Sequence, residues 1–400
     1  MHRRKPRQSV EQKFKGVIAS VAKQSPKFTG LLHALHLEAC ALLAMTIFVA
    51  MKDTIFTKNF AKNLSHFLER KNYSLHFILM DENTHQLCLP ILQQEIQDLA
   101  SATRIEIYAG EEHKNIRAAE YVWQRLTEEK ADRNSVLINL GGGMVCDLGG
   151  FAASTYKRGI DFIHIPTTLL SQVDAAIGGK QGIDFMNFKN QVGVFRQPAG
   201  VFVHEEFLKT LPQEEIVSGF AEVIKHALIA GDGLWKKTVS IENLTEVNWN
   251  EIVSDSIDVK LAVVKKDPEE KNLRKVLNFG HTMGHAIESW ILNQHKTTYH
   301  GHCIATGMMG ELYLSSSCLG LSEKKRDEAL TVIRKHFPKI VFPESEFDAL
   351  IDLMKQDKKN EHGTIRMALL RKFGNPVIDV EVDEMQIREA LKFMMEQNEG

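Results

Sequence analysis

An alternation of short apolar runs with longer amphipathic stretches, between about Phe60 and Thr210, is the sequence feature that most limits the possible folds. The short runs match buried strands, and stretches such as Ala118–Glu129 match helices. This order is typical of βα units that build a parallel sheet. The runs that we predict to be strands are Leu75–Met80, Ile105–Tyr108, Val136–Leu140 and Phe162–Ile165.

From about Pro212 onward strands become scarce, and apolar residues follow helical spacing instead. The segments with this spacing are Glu214–Ala230, Glu251–Val264, His281–Leu292 and Ile304–Leu319. A chain of 400 residues is too long for one ordinary core, so two domains are expected. We therefore predict an α/β nucleotide-binding domain at 51–211, an all-α domain at 212–400 and a functional cleft between them.

The first fifty residues differ from the rest. The stretch MHRRKPRQSVEQKFKG is strongly basic, and LLHALHLEACALLAMTIFVAM is largely apolar. Its uninterrupted apolar part, Cys40–Met51, is too short to span a bilayer, and a signal peptide would have a shorter front end and a cleavage site. Three interpretations remain open: a mis-set start codon before a true start at Met51, a dispensable extension, and a targeting or membrane segment.

Charge and cysteine content exclude some classes of function. The formal net charge is −2 and no long basic stripe is present, which disfavours nucleic acid as a partner. The five cysteines are scattered, odd in number and without a CxxC pair. This usage disfavours a disulfide framework and favours a reducing cytoplasm.

The stretch VLINLGGGMVCDLGGF (136–151) reads as a strand, a glycine turn and a helix start. Glycines at the carboxyl end of a strand let the backbone approach a pyrophosphate, and the helix N-terminus supplies amide donors. A tight turn without a ligand is the alternative. Asp147 lies just beyond and could accept from a ribose or order the loop. Asp81 and Asn83 follow another strand, where a ligand contact competes with a helix cap.

Residues 155–198 concentrate polar and charged side chains. Gly178 and Gly179 precede Lys180, and Lys189 with Asn190 lies in a stretch that resembles a loop. Lysines on glycine-rich loops suit contacts to phosphate or carboxylate. The alternative for any one of these lysines is a solvated surface charge.

Histidines and a glutamate in the second half suggest a metal site. His281 and His285 are four residues apart, so on a helix both rings share a face. One carboxylate and two imidazoles would leave a zinc position open for water or substrate. Spacing does not choose among the candidates, and capping or core histidines are the alternative. The candidate ligands are Glu222, His226, His281, His285, His300 and His302.

Taken together, these stretches resemble the 3-dehydroquinate synthase family from about Met51 to the end of the chain. The motifs that carry the resemblance are GGGMVCDLGGF, PTTLLSQVDAAIGGKQGID, KNQVGVFRQP, FLKTLP, GFAEVIKH, LNFGHTMGHAIE and the HG pair at 300–301. The resemblance implies a Rossmann-like α/β domain followed by an all-α domain, the dehydroquinate synthase-like fold. It also implies a homodimer without a membrane or nucleic-acid partner.

The resemblance implies NAD and a divalent metal, zinc or cobalt, as cofactors. The implied reaction converts 3-deoxy-D-arabino-heptulosonate 7-phosphate to 3-dehydroquinate and phosphate in the shikimate pathway. It proceeds through transient oxidation by NAD, β-elimination of phosphate, re-reduction and an intramolecular aldol closure. The substrate's own phosphate can serve as the base. The alternatives are another sugar phosphate cyclase, and a metal-dependent glycerol or alcohol dehydrogenase of the same superfold.

Residue roles follow from the same resemblance. The implied metal ligands are Glu222, His281 and His300. The implied cofactor positions are Asp81, Asn83, Gly110, Glu111, Lys114, Gly142, Gly143, Met144, Val145, Asp147, Thr167, Thr168, Lys180, Lys189, Phe207, Leu208, Lys209 and Thr210. The implied catalytic and substrate positions are Arg158, Asp174, Lys180, Asn190, Lys225, Lys260, Arg274, Asn278, His285 and Lys358.

Three positions depart from the family pattern. His302 stands where the family usually has glutamate, Phe188 where many members have glycine, and Asp184 where asparagine is common. We expect His302 to lie beside His300 and to vary the surroundings of the metal rather than its ligands. We also expect Gly280 and Gly284 to keep the helix face bare where metal and ligand approach.

Overall fold

The computed structural model describes residues 55–186, 188–355 and 365–399. The strands of the first half are β1 (Ile55–Phe56), β2 (His76–Asp81), β3 (Thr103–Ile107), β4 (Val136–Gly141), β5 (Asp161–Pro166), β6 (Lys180–Phe185), β7 (Phe188–Phe195) and β8 (Gly200–Phe202). Six of them form one parallel sheet in the order β1-β8-β5-β4-β2-β3, whereas β6 and β7 form an antiparallel hairpin.

Helices alternate with the sheet strands and then dominate the second half. Those of the first half are α1 (Phe60–Lys71), α2 (Glu82–Leu87), α3 (Leu89–Glu95), α4 (Ile116–Glu128) and α5 (Gly143–Thr155). Those of the second half are α6 (Gln213–Ala230), α7 (Asp232–Val239), α8 (Trp249–Lys266), α9 (His281–Asn293), α10 (His300–Leu319), α11 (Glu323–His336), α12 (Phe347–Lys355) and α13 (Glu384–Glu399). A hairpin of β9 (Ile365–Lys372) and β10 (Asn375–Val382) precedes α13.

The parallel sheet is apolar because helices cover both of its faces. Every residue of β4 is buried, as expected for a central strand of such a sheet. Successive residues point to opposite faces, so Ile138 joins one core cluster and Leu137 the other. The first cluster includes side chains of α1 and α3, and the second includes side chains of α4 and α5. Burial on both faces accounts for the unbroken apolar runs in the sequence.

The sheet has a topological switch point beside β2. This strand pairs with β3 on one side and with β4 on the other, so the chain moves outward after β2 and then returns. The carboxyl ends of β2 and β4, at Asp81 and Gly141, therefore flank a crevice. Open α/β sheets bind ligands at such a crevice. The fold places the glycine turn there.

The predicted fold class and the predicted strands and helical segments are confirmed, with ends that shift by a few residues. The two hairpins were not predicted. Lys189 and Asn190 lie in strand β7 rather than in a loop, and the helical half contains β9 and β10. The predicted domain boundary stays a prediction, with α6 beginning at Gln213. The interpretations of residues 1–50 and of Lys358 fall outside the described residues.

Four cysteines lie in the described part of the chain. Cys88, Cys146, Cys303 and Cys318 are free thiols there. Burial raises the pKa of Cys146 well above its ordinary value, which keeps this thiol protonated and unreactive. None of the described helices combines the length and the apolar character needed to cross a bilayer.

A buried polar network lies between the sheet and α5. The Asn139 amide and the Gln181 amide contact the two ring nitrogens of His164, at 3.2 Å and 3.4 Å. A neutral imidazole has one donor and one acceptor, so one amide must present its oxygen to the ring. A Cβ at Gly149 would overlap the Asn139 side chain, and one at Gly150 would overlap Gln181. The second glycine pair of the motif therefore makes room for this network.

The His164 ring should make stability depend on pH. Burial lowers the pKa of His164 to about 3, a shift that a hydrogen bond with Gln181 partly opposes. The unfolded chain takes up a proton below about pH 6.5 and the folded ring does not, so stability falls as pH decreases from there. We expect His164 to cost about 2 kcal/mol of unfolding free energy between about pH 6.5 and about pH 5.

Urea unfolding of the wild type and of His164→Gln, at about pH 7 and about pH 5, measures this cost. The variant should lose less stability on acidification than the wild type. His66→Gln is the matched control, because His66 is exposed on α1. Equal losses in the wild type and His164→Gln would refute the buried neutral ring.

Candidate functional site

The glycine turn after β4 has the features of an anion site. Gly142 precedes α5, and no described side chain caps the first turn of this helix, so its amides retain donor capacity. The turn is closely packed from behind: a Cβ at Gly142 or Gly143 would lie 3.1 Å from Thr168 or Ala175. The hydroxyl of Thr167 is buried without a hydrogen-bond partner in the described residues. An orphaned donor beside uncapped amides fits a bound nucleotide.

Lys114 contacts three acidic residues near this turn. Its ammonium pairs with Glu111 and lies 3.5 Å from Asp147 and 3.7 Å from Asp184. Burial lowers the pKa of Lys114, but Asp147 and Glu111 more than offset this and raise it. Burial raises the pKa of Asp147 to about 7, against the opposing effect of Lys114. Three predicted cofactor positions, Glu111, Lys114 and Asp147, therefore meet in one cluster. Asp184 links Asn190 to this cluster, because its Oδ1 accepts from the backbone N–H of Asn190 at 2.7 Å.

Other predicted cofactor positions have structural roles. Asp81 caps α2 by accepting from the N–H of Thr84 at 2.8 Å, and Asn83 is exposed on that helix. The helix-cap alternative therefore describes Asp81 well. Met144 is half-buried, and Val145 is fully buried and packs in the core between α5 and the sheet.

The segment from Phe207 to Thr210 offers its main chain rather than its side chains. Phe207 is fully buried in the core, Leu208 is also buried, and Lys209 points outward to Glu206. The hydroxyl of Thr210 donates to the carbonyl of Phe207 at 2.7 Å. The Phe207 ring packs against Phe60 and His204, so this side chain is inaccessible in this structure.

Four lysines of the predicted site each face a carboxylate. The pairs are Lys180 with Glu270, Lys189 with Glu288, Lys225 with Glu222 and Lys260 with Asp174. Lys225 and Lys260 are almost inaccessible, with 1% and 5% exposure, whereas Lys180 and Lys189 are about half-exposed. Buried ammonium groups need such partners, because isolated charges are strongly disfavoured away from water.

Asp174 and Lys260 form the centre of a buried chain of polar contacts. The Lys260 ammonium lies 2.5 Å from Asp174 Oδ1, and burial lowers its pKa to about 8 despite the attraction of Asp174. His226 lies 3.6 Å from the same oxygen and 2.6 Å from the Ser256 hydroxyl. Atoms of Asp174, Glu222 and His226 lie within 4.8 Å of one another. The adjacent ammonium groups already neutralise this set, so it does not resemble a second metal site.

Arg274 and Asn278 lie on the turn that precedes α9. The buried guanidinium of Arg274 donates to the carbonyls of Gly178 and Pro268, at 3.1 Å and 2.7 Å. Gly178 has a positive φ of 106°, and a Cβ there would overlap Arg274, so glycine is required at this position. Asn278 donates to Glu270 at 3.1 Å, which places it beside Lys180.

Arg158 is not brought to this site within one chain. It follows α5, a helix of 13 residues that starts at the glycine turn and therefore leads about 20 Å away from it. Arg158 precedes the amino end of β5 and is exposed. The prediction that Arg158 binds substrate is therefore not met by the geometry of a single chain.

Three histidine rings converge where α9 meets α10. Nitrogen atoms of His281, His285 and His300 lie within 4.8 Å of one another, and the ring centres are 5.2–5.7 Å apart. His281 and His285 share one face of α9, as their spacing predicts. His300 comes from the first turn of α10. The rings alone are therefore compatible with more than one ligand set.

Glu222 distinguishes His281 from its neighbours. The Nδ1–H of His281 donates to the carbonyl of Phe279 at 3.1 Å, so Nε2 is the ring nitrogen that carries the lone pair. This Nε2 lies 3.5 Å from Glu222 Oε1, a buried oxygen without a described hydrogen-bond partner. Two electron-rich atoms face each other here, and tetrahedral zinc ligands at about 2.0–2.1 Å are spaced about 3.3 Å apart. A divalent metal fits this pair.

His300 is oriented by a carboxylate. Its Nδ1 lies 3.2 Å from Glu288 Oε2, so Nε2 is available to a metal. His302 does not lie beside it, because two residues along a helix reverse the direction of the side chain. The His302 ring instead packs 5.2 Å from Tyr299 and 6.3 Å from Phe337. The expectation that the His302 ring lies beside His300 is therefore wrong.

Gly280 and Gly284 serve helix packing, not ligand access. A Cβ at Gly280 would overlap Met308, and a Cβ at Gly284 would lie 2.8 Å from Ile304 Cδ1. Both neighbours belong to α10. The expectation of a bare, ligand-facing helix surface is therefore wrong. The glycines let the two helices approach closely enough for their histidines to meet.

A buried glutamate from α10 holds the start of α9. Glu311 is fully buried and accepts from the backbone N–H groups of Gly280, Thr282 and Met283, at 2.5, 3.1 and 3.3 Å. These donors belong to the first turn of α9, where the helix dipole favours negative charge. Glu311 therefore fixes the start of α9, which carries His281.

Comparison with known proteins agrees with this geometry. Family models match residues 104–218, described as 3-dehydroquinate synthase N-terminal, and residues 219–360, described as 3-dehydroquinate synthase C-terminal. The chain belongs to the 3-dehydroquinate synthase family. The 3-dehydroquinate synthase of Parabacteroides distasonis is 41% identical over 347 residues, which cover 86% of this chain and 98% of that protein. The family prediction is confirmed.

Solved structures of related cyclases share the fold. A 2-deoxy-scyllo-inosose synthase complexed with carbaglucose-6-phosphate, NAD+ and Co2+ has a TM-score of 0.75 and 22% identity, over 86% of this chain and 96% of that one. A 2-epi-5-epi-valiolone synthase from Streptomyces hygroscopicus with NAD+ and Zn2+ has a TM-score of 0.71 and 24% identity, over 81% and 92%. At this identity the likeness establishes the dehydroquinate synthase-like fold.

Several polar residues of this family member's site were missed from the sequence. They are Asp184 as an acidic partner, Ser256, Glu270, Glu288 and Glu311. Only Glu288 carried a detectable signal, because it follows His285 by three residues on the same helix face. Ser256, Glu270 and Glu311 come from distant segments, and Asp184 stands out in the sequence only as a departure from the family pattern. The roles of these four residues depend on packing that spacing does not reveal.

The Glu311 contact gives a stability prediction. Glu311→Gln keeps the shape but removes the charge and turns an amide group toward backbone donors. We expect a loss of about 1–3 kcal/mol of unfolding free energy, measured by urea denaturation without metal. Glu323→Gln is the matched control, since Glu323 is an exposed acid in the first turn of α11, and should cost less than about 0.5 kcal/mol. Similar small losses in both variants would contradict the role of Glu311.

Proposed function

We propose that the chain converts 3-deoxy-D-arabino-heptulosonate 7-phosphate to 3-dehydroquinate and phosphate, as a carbon–oxygen lyase of the shikimate pathway. Family membership supports this function. The observation that carries it is the approach of two atoms suited to a metal, Glu222 Oε1 and His281 Nε2, to 3.5 Å beside a group of lysines. A metal position next to concentrated positive charge suits a substrate with hydroxyl groups, a carboxylate and a phosphate.

We assign the metal to Glu222, His281 and His300, and NAD to the glycine turn, the buried Thr167 and the cluster around Lys114. When bound, NAD would accept and return a hydride, and the divalent metal would polarise substrate oxygens. The Phe279 carbonyl and Glu288 orient the two rings through their Nδ1 atoms. Lys225 pairs with Oε2 of Glu222 while His281 faces Oε1, so the ion pair limits rotation of this carboxylate.

The substrate would bring a phosphate with about two negative charges in addition to its carboxylate. The residues that we assign to these groups and to the hydroxyls are Lys180, Lys189, Asn190, Lys225, Lys260, Arg274, Asn278 and His285. Arg274 is held rigidly by two carbonyls, and Lys189 projects from the β6–β7 hairpin. A fixed guanidinium and movable ammonium groups together allow both recognition and release.

Asp174 and Lys260 would accept or donate a proton near the reacting carbons of the substrate. Asp174 is held between Lys260 on α8 and His226 on α6, which fixes the direction of its carboxylate. The pKa of Lys260, about 8, permits this ammonium to change protonation near neutral pH. These groups supplement the phosphate of the substrate, which the family resemblance names as a base.

Two finer proposals concern the state of the protein. We propose a homodimer in the cytoplasm. Large apolar side chains of the β6–β7 hairpin are exposed, as expected for a surface that another chain covers; they are Phe185, Met186, Phe188 and Phe195. Sedimentation of the full chain tests the dimer, and a monomer at micromolar concentration would contradict it.

Release of inorganic phosphate tests the function directly. The purified chain with NAD and Zn²⁺ should release phosphate from 3-deoxy-D-arabino-heptulosonate 7-phosphate, and NADH should not accumulate, because the hydride returns to the same molecule. Glucose 6-phosphate and other heptulose phosphates are the comparison substrates. Faster release from one of these would indicate another sugar phosphate cyclase. Net NADH accumulation without phosphate release would indicate a dehydrogenase.

Metal affinity tests the ligand assignment. Removing a true ligand by Glu222→Gln or His300→Asn should weaken Zn²⁺ binding by at least about 100-fold, measured by chelator competition. His285→Asn should keep the metal and lower turnover, because we assign His285 to the substrate. His302→Asn is the control and should bind Zn²⁺ like the wild type.

The opposite pattern would reverse the assignment. If His285→Asn lost the metal and Glu222→Gln kept it, the three imidazoles would be the ligands. Glu222→Gln also leaves Lys225 buried without its partner, so its stability without metal is measured in parallel. His300→Asn removes one of the two described donors of the buried Glu288, so its stability without metal is measured in the same way.

A further inference from the structure

Glu288 joins two parts of the site that come from distant segments. It lies on α9, two helical turns after His281, and is 6% exposed. Its Oε1 lies 2.8 Å from the Lys189 ammonium on the β6–β7 hairpin. Its Oε2 lies 3.2 Å from Nδ1 of His300 on α10. Each oxygen serves one partner, so both contacts exist at the same time.

The burial of Glu288 makes these contacts consequential. A carboxylate away from water needs compensating donors, and the described contacts of this side chain are His300 and Lys189. The contact to His300 selects the Nδ1–H tautomer and directs Nε2 toward His281 and His285. The contact to Lys189 holds a half-exposed ammonium over the same cluster.

We propose that Glu288 is a positioning residue that couples the metal site to anion binding, an inference that rests on the ligand role proposed for His300. The carboxylate orients the metal-binding ring through one oxygen and restrains Lys189 through the other. A phosphate or carboxylate of the substrate class competes with Glu288 for Lys189. Once such an anion engages Lys189, Glu288 acts on His300 alone.

This arrangement has a signature that a purely structural role lacks. Replacing Glu288 by glutamine removes the charge that orients His300, so metal affinity decreases. The same change removes the competitor for Lys189, so anion affinity of the metal-free protein increases. A variant that merely loosened the fold would weaken both ligands together.

The test compares Glu288→Gln with the wild type in two titrations without turnover. Zn²⁺ affinity, measured by chelator competition, should decrease about 10–100-fold, and the visible absorption bands of bound Co²⁺ should change. Inorganic phosphate should bind the metal-free variant up to about fivefold more tightly, the range expected for losing a half-exposed ion pair. Unchanged Zn²⁺ affinity, or weaker binding of both ligands, would overturn the proposal.

Two further variants separate the contacts. Lys189→Met should weaken phosphate binding and leave Zn²⁺ affinity within about twofold of the wild type, because Glu288 still orients His300. Loss of Zn²⁺ affinity in this variant would refute the division of labour. Glu346→Gln is the matched control, since Glu346 accepts from Trp290 on the same helix away from the cluster, and both affinities should stay unchanged. Phosphate release by the wild type tests the reaction separately.

Discussion

The burial of positive charge is the constraint on which the rest of the site depends. Lys225 and Lys260 are almost inaccessible, and an ammonium group in that position is tolerated only beside a carboxylate. Glu222 and Asp174 supply those carboxylates, one from the same helix and one from the segment after β5. The second pair ties α8 to the turn at Ser171–Ala175. Ion pairs, as well as apolar contacts, therefore fix the sheet-bearing part against the helical part.

Close packing of α9 on α10 is the second requirement. Gly280 and Gly284 lack the side chain that would collide with α10, and Gly307 on α10 approaches the backbone of Gly284 in the same way. This approach brings His281 and His300 together from helices separated by the connection 294–299. The Glu311 carboxylate on α10 then accepts from backbone N–H groups at the start of α9. The same helix pair therefore aligns the histidine rings and supplies hydrogen-bond partners for the first turn of α9. Gly280 and Gly284 therefore act indirectly: they let the two helices pack closely, and this packing positions the histidines.

The sequence predicted what depends on local pattern. Apolar runs and helical spacing located the parallel sheet and the long helices, and motif order identified the family before any geometry was known. The acidic partners escaped prediction, because Glu270 and Glu288 pair with lysines about ninety or more positions away in the chain. His302 was misplaced because sequence proximity to a site residue does not specify the helix face. Arg158, which the family resemblance implies, lies beyond the far end of α5 within one chain.

The lysines of the site bear on how an anionic ligand is selected. Each ammonium of the four pairs already has a carboxylate beside it, so a ligand gains only the difference between its own contact and the one it displaces. A small monoanion gains little from that exchange. A ligand that carries a phosphate, a carboxylate and hydroxyl groups at fixed separation engages several cations at once. It loses the translational and rotational entropy of only one molecule in doing so. Paired lysines therefore favour polyanionic sugar phosphates over the simple anions that would otherwise fill a positively charged cleft.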